Sequence, residues 1–332
     1  MAHEGHPNRE LTSNQIFLAV NWYLLVNRAL MEEQNREPQK VTGFEKEAGT
    51  VSGKIYLKAG ELPKGFTDVT LLRAFSDYSV ALGIHREGKY MRLGTGVLVR
   101  KGKRMGILTA YHCLHSSTPE VRLGDENGDA LCLILNRART IIVKPVEVCE
   151  HRLAKPKMEE FGPDLTFIEI VSIERLGTFN AYGTFWSLDR DSSKVLGKFG
   201  NAGTPIAAVG FPEVYYSQVT DGQRVKHQVR HMTYYNAIKD ENIFTRDGWD
   251  YLDSTIWYPG SEGLPSSFEG VSGGPVWGME LCLNKADGSV TIADSALIGI
   301  TFYEIYRRGD EGRLRAHFIR SIYDLAWQGI GE

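Results

Sequence analysis

Short apolar runs rich in Val, Ile, Leu and Tyr, set off from polar stretches by Gly, Pro and Asp, recur along the chain and predict strands. Residues 51–57, 78–85, 121–123, 131–135, 140–148 and 165–171 read this way. Residues 90–99 and 105–110 read as a hairpin turning through the basic 100–104 segment. Residues 205–212 read as a buried strand ending in a turn, and 218–238 as a hairpin about Asp221-Gly222, a strong turn dipeptide. Residues 296–302 give a further buried strand. Two segments follow a helical period instead. Ile16, Val20, Tyr23, Leu24, Asn27 and Leu30 recur behind Thr12 and Gln15 at capping-box spacing, which predicts a helix over about 13–33. A second helix is expected over 313–327, with Phe318, Ile319, Ile322, Tyr323, Leu325 and Ala326 apolar. The polar stretches 34–49, 150–161, 178–191 and 242–268 read as linkers and loops.

Composition agrees with a mostly β reading. The 332 residues suffice for two domains, 42% of them are hydrophobic, and 35 glycines favour a turn-rich chain over a helical bundle. Lys and Arg number 38 against 41 Asp and Glu, a net charge of −3, so no basic field recruits nucleic acid. The first nine residues lack the basic and apolar regions of a secretory signal. The apolar stretch 16–31 carries Asn21, Asn27 and Arg28 and is too short to cross a bilayer, so a soluble, cytoplasmic protein with no membrane partner is expected. Cys113, Cys132, Cys149 and Cys282 lack metal-ligand spacing and read as small buried residues in a reducing compartment. His3 and His6 lie in a polar terminus. His227 and His231, four apart on a strand, share a face but stand well separated. No metal site is expected from either pair.

Candidate chemistry centres on Gly270-Val271-Ser272-Gly273-Gly274-Pro275. Glycines around a serine let successive backbone N–H groups approach a bound oxygen, as a serine nucleophile with an oxyanion site requires. Upstream, Thr109-Ala110-Tyr111-His112-Cys113 ends an apolar run, and Asp164 opens the strand Leu165-Thr166-Phe167-Ile168. His, Asp and Ser in this chain order form one of the known triad orders. His115 competes with His112 for the base, Asp189 and Asp191 compete with Asp164, and Ser266 and Ser267 compete with Ser272; each competitor lacks the local context of its rival.

These three stretches together resemble trypsin-like (chymotrypsin-fold) serine proteases of a bacterial, intracellular type. Gly94-Thr95-Gly96-Val97 extends the likeness to the strand before the histidine, and Gly210-Phe211-Pro212 to a turn common in bacterial members. The resemblance implies an all-β fold of two antiparallel six-stranded barrels. An N-terminal helical extension would occupy 1–50, a first barrel 51–185 with His112 and Asp164, and a second barrel 186–332 with Ser272 and a C-terminal helix. It further implies a cofactor-free serine endopeptidase acting on protein or peptide substrates. His112, Asp164 and Ser272 would be catalytic, with the N–H groups of Gly270 and Ser272 as the oxyanion hole. Thr301, Phe302, Tyr303 and Glu304 would flank the substrate, and Ser266, six residues before the nucleophile, would form the base of the primary pocket. Many members carry an acidic residue immediately before the nucleophile, where it pairs with an amino terminus released by cleavage; this chain has Val271. The competing expectations are an inactive or latent protease-fold binding module and a serine esterase. The N-terminal extension leaves room for a regulatory protein partner.

Overall fold

The computed structural model describes residues 50–51, 54–57, 70–86, 89–116, 120–135, 139–156, 162–221, 224–257, 265, 267–284, 289–306 and 311–330. The helix expected over 13–33, the histidines at 3 and 6, and Ser266 lie outside them. In chain order the strands are β1 (Thr50–Val51), β2 (Lys54–Leu57), β3 (Ser79–Arg86), β4 (Lys89–Lys101), β5 (Arg104–Thr109), β6 (Ala130–Leu135), β7 (Arg139–Val143), β8 (Val148–Ala154), β9 (Leu165–Ile170) and β10 (Trp186–Ser187). They continue as β11 (Pro205–Gly210), β12 (Tyr216–Asp221), β13 (Arg224–Val229), β14 (Met232–Ala237), β15 (Ile243–Arg246), β16 (Trp249–Trp257), β17 (Pro275–Asn284), β18 (Val290–Tyr306) and β19 (Glu311–His317).

The described strands are mostly antiparallel and form two large sheets. The first, of eight strands, runs β7-β6-β3-β4-β5-β9-β8, with β10 parallel to β4. The second, of nine, runs β1-β2-β17-β18-β19-β16-β15, with β11 joining β17 to β14. The pair β12 and β13 stands apart as a ribbon. Val80, Leu82, Ile107, Leu133 and Ile168 pack one core within the first sheet. A larger core runs from Ile206, Trp277 and Ile298 in the second sheet to Val97, Leu108 and Phe167 in the first, so the two sheets share buried surface. Trp277 lies at its centre, stacked on Phe75 at 4.8 Å and meeting Trp186 edge-on at 5.0 Å. Each fully buried Leu or Phe in such a core contributes about 1.5–3 kcal/mol. Among the described residues no helix is long and apolar enough to cross a membrane.

Several segments differ from their sequence reading. The stretch 242–268 contains β15 and the nine-residue β16. Asp250 on β16 accepts from the N–H groups of Arg320 and Ser321, and Asp253 pairs with Arg315 on β19, so both carboxylates are buried at low cost. The expected helix over 313–327 begins as β19, hydrogen-bonded on both sides to β16 and β18, and only Ile319–Tyr323 is α-helical, followed by a 3-10 turn at Leu325–Trp327. The linker expected at 178–191 overlaps a helix, Ile173–Tyr182, capped by the Ser172 hydroxyl. A second unforeseen helix, Ser192–Phe199, is capped by Asp191. β8 occupies the start of the loop expected at 150–161, and residues 121–123 are not a strand. Cys149 is exposed, unlike the other three thiols, which are buried. β2 pairs with β17 in the second sheet, whereas β10, just past 185, pairs with β4 in the first.

Candidate active site

β5 and β9 are antiparallel neighbours with Thr109 opposite Thr166. His112 lies three residues beyond one end of that pair and Asp164 two residues before it, so strand pairing brings both to the same edge of the sheet. Gly106 lets the two strands close, because a Cβ there would stand 2.1 Å from the Ile168 carbonyl oxygen. His112 opens the one-turn helix His112–His115.

The Asp164 carboxylate, 1% exposed, takes two bonds from His112. Oδ2 lies 2.5 Å from ring Nδ1 and Oδ1 accepts the main-chain N–H at 2.9 Å. This fixes the imidazole rotamer and puts the proton on Nδ1, leaving Nε2 as a base. Behind Asp164, its own N–H donates to Nε2 of the buried His317 at 2.9 Å. Burial drives the His317 pKa down to about 3, so that ring is neutral and accepts. Phe302 stacks on it at 4.5 Å.

Ser272 sits in the turn leading into β17. The Thr301 hydroxyl donates to the carbonyls of Val271 (2.8 Å) and Gly274 (3.1 Å), and the Gly273 N–H donates to the Thr301 carbonyl at 2.7 Å. The Ser272 carbonyl accepts from the Thr95 N–H at 2.8 Å and from Cys113 Sγ at 3.4 Å, which seats the serine beside the residue that follows His112. Burial pushes the Cys113 thiol up to about 12, so it stays a protonated donor and not a nucleophile. Among the described residues, neither the Gly270 N–H nor the Ser272 N–H donates to another protein group. Gly270 has φ +84°, open to glycine and strained for other residues. The half-buried Arg92 side chain lies against this turn, its Nη2 3.4 Å from the Gly270 carbonyl, and burial lowers its pKa.

The competing residues are engaged elsewhere. His115 bonds Glu150 through Nε2 at 2.6 Å and stacks on Tyr111 at 4.0 Å. Asp189 accepts from the Gly102 N–H, Asp191 from the Ser193 N–H, and the Ser267 hydroxyl from the Glu269 N–H. Of the residues expected to flank substrate, Thr301 and Phe302 are buried in support of the turn and of His317, and Tyr303 packs with Tyr251, Phe302 and Cys113. The Glu304 carboxylate accepts from the Phe268 N–H, with its oxygens at 3.3 and 3.2 Å. Sequence reasoning missed Thr95, Arg92 and His317, which hold the site from other strands. A polar residue between two glycines on an apolar strand was the available signal for Thr95.

A scan against family models and a search of curated proteins find no match for this chain.

Proposed function

We propose that the chain is a serine hydrolase of chymotrypsin-like fold, its two sheets corresponding to two barrels with added strands, and that it acts as an endopeptidase on protein or peptide substrates. The double grip of Asp164 on His112 is the observation that carries this reading. A histidine held in one rotamer with its Nδ1 proton committed to a buried carboxylate has the arrangement a general base needs, and packing alone does not call for it.

In this mechanism His112 Nε2 takes the proton of the Ser272 hydroxyl as Oγ attacks the substrate carbonyl. The N–H groups of Gly270 and Ser272 receive the developing oxyanion. His112⁺ then protonates the leaving amine and the acyl-enzyme forms. Water, deprotonated by His112, attacks the ester and releases the acid. Asp164 stabilises the imidazolium in both halves. No step requires a cofactor.

A fluorophosphonate probe, followed by mass-spectrometric location of the adduct, tests the reading. The adduct is expected on Ser272 and absent in Ser272→Ala and His112→Ala. Folded protein that never reacts, before or after limited proteolysis, would assign the chain to an inactive binding module. Hydrolysis of esters without any peptide cleavage would assign it to the esterases.

A further inference from the structure

One side chain ties the nucleophile turn to the rest of the molecule. Thr95 on β4 is fully buried and uses every polar group it has. Its N–H donates to the Ser272 carbonyl at 2.8 Å. Its hydroxyl donates to the Gly270 carbonyl at 2.8 Å and accepts from the Phe211 N–H at 3.1 Å. Its carbonyl accepts the Thr109 hydroxyl at 2.6 Å. A strand of the first sheet, the turn that follows β11 and the loop carrying Ser272 therefore meet at one residue.

These bonds act on the peptide groups at either side of Gly270. The Glu269 carbonyl accepts from the Glu213 N–H at 2.7 Å, and a trans peptide points its N–H opposite to its C=O, so the Gly270 N–H is aimed away from Glu213. On the other side Thr95 pins the Gly270 carbonyl. Glycine could otherwise rotate between alternative backbone conformations at little cost. Val271, buried and apolar, offers no ion pair to hold the turn, so hydrogen bonds must do so.

We propose that Thr95 is the positioning residue of the oxyanion-binding turn and that, through its hydroxyl, the site is formed in the uncleaved chain. This rests on the hydrolase reading above. Thr95→Val keeps the shape and removes the hydroxyl, leaving the Phe211 N–H without its acceptor and the Gly270 carbonyl with the longer Arg92 contact alone. Thr95→Ser keeps the hydroxyl.

The test uses the full chain and two probes, the rate of fluorophosphonate labelling at Ser272 and acylation by p-nitrophenyl acetate, beside thermal melting of each variant. Intact wild type is expected to label without proteolysis. Thr95→Val should slow acylation about 30-fold or more with the half-saturating ester concentration unchanged, since loss of a single oxyanion donor costs about 100- to 1000-fold. Thr95→Ser should return to within about threefold of wild type, because the donor to Gly270 is restored. If Thr95→Val does not fold, Thr95→Cys, a weaker donor of similar size, takes its place in the comparison with serine. Equal rates for valine and wild type, or equal losses for valine and serine, would overturn the inference and leave the hydrolase reading standing. Labelling that appears only after proteolytic clipping would do the same. Folded wild type that never labels would sink the hydrolase reading, and this inference with it.

Discussion

Asp164 holds His112 at two points, the ring Nδ1 at 2.5 Å and the main-chain N–H at 2.9 Å, and so fixes both the position and the tautomer of the imidazole. Asp164→Asn separates the two effects. An amide can still accept the main-chain bond through its oxygen, but it offers an NH₂ to Nδ1 and drives the ring proton to Nε2, where the base should be free. The expected result is a folded protein whose Ser272 acylation falls by about 10⁴-fold, the size of this tautomer effect in serine-protease triads. Acylation by p-nitrophenyl acetate, read beside the circular dichroism of both proteins, checks it. An unchanged rate would remove Asp164 from the mechanism.

Two glycines of the turn carrying Ser272 are required for different reasons. At Gly273 (φ +83°) a Cβ would lie 2.0 Å from both the Thr109 hydroxyl and the Thr95 carbonyl, rigid neighbours that cannot yield. At Gly270 (φ +84°) it would meet Arg92 Nη2 at 2.6 Å and the Phe211 carbonyl at 3.0 Å, and a guanidinium can move further than backbone. Gly102 (φ +58°), with nothing within 4 Å, is the control. Gly102→Ala should cost about 1–2 kcal/mol, the left-handed backbone penalty alone. Gly273→Ala should add about 1–3 kcal/mol of overpacking. Gly270→Ala should fall between them in stability while losing acylation as Arg92 is displaced. Urea unfolding of the three variants ranks them, and equal losses at 102 and 273 would contradict the packing.

The stretches carrying His112, Asp164 and Ser272 stood out in the sequence because each of their signals is local. Serine among glycines, histidine ending an apolar strand and aspartate opening another can all be read within ten residues. Apolar runs between turn residues also marked β3, β5, β6, β9 and β11. What escaped was set by contacts distant in sequence. Asp250 and Asp253 made 242–268 read as a loop, and only their partners, Ser321 and Arg315, make a buried strand affordable. Arg313 and Arg315 open the segment expected to be helical, though Arg315 is 8% exposed in β19. His317 carries no local mark of its place beside Asp164, 153 residues away, and the glycines around Thr95 do not reveal that its hydroxyl bonds Gly270, 175 residues away.

His317 should make stability depend on pH. Its Nε2 accepts the Asp164 N–H, and burial lowers its pKa to about 3, against an unfolded value of about 6.5. Between those values the unfolded chain binds the extra proton, so stability rises with pH across the window. The contribution is complete above about pH 6.5 and is lost as pH falls toward about 3, by up to about 1.4 kcal/mol per pH unit. His317→Gln removes the titration and keeps an acceptor for the Asp164 N–H. Urea unfolding of both proteins at pH 7 and pH 5 should show the wild type losing about 2 kcal/mol more than the variant. Parallel losses would mean that His317 is not held neutral.

Asp253 and Arg315 face each other in register on β16 and β19 and join through two bonds, Nε to Oδ1 at 2.8 Å and Nη2 to Oδ2 at 2.9 Å. Their side chains are 5% and 9% exposed, and the guanidinium lies over the Phe244 ring at 5.0 Å. Desolvating both ions offsets most of their attraction, so the pair as a whole adds little, whereas removing one member costs the other a buried two-point ion pair. Asp253→Leu alone should therefore cost about 3–5 kcal/mol. Adding Arg315→Met, which keeps a long apolar chain over Phe244, should recover most of that loss by removing the buried guanidinium as well. Arg313, whose Nη1 stands 3.7 Å from Asp253, keeps water within reach and is left unchanged in both variants. A double variant no more stable than Asp253→Leu would show that strand packing, and not the guanidinium kept in the single variant, sets the cost.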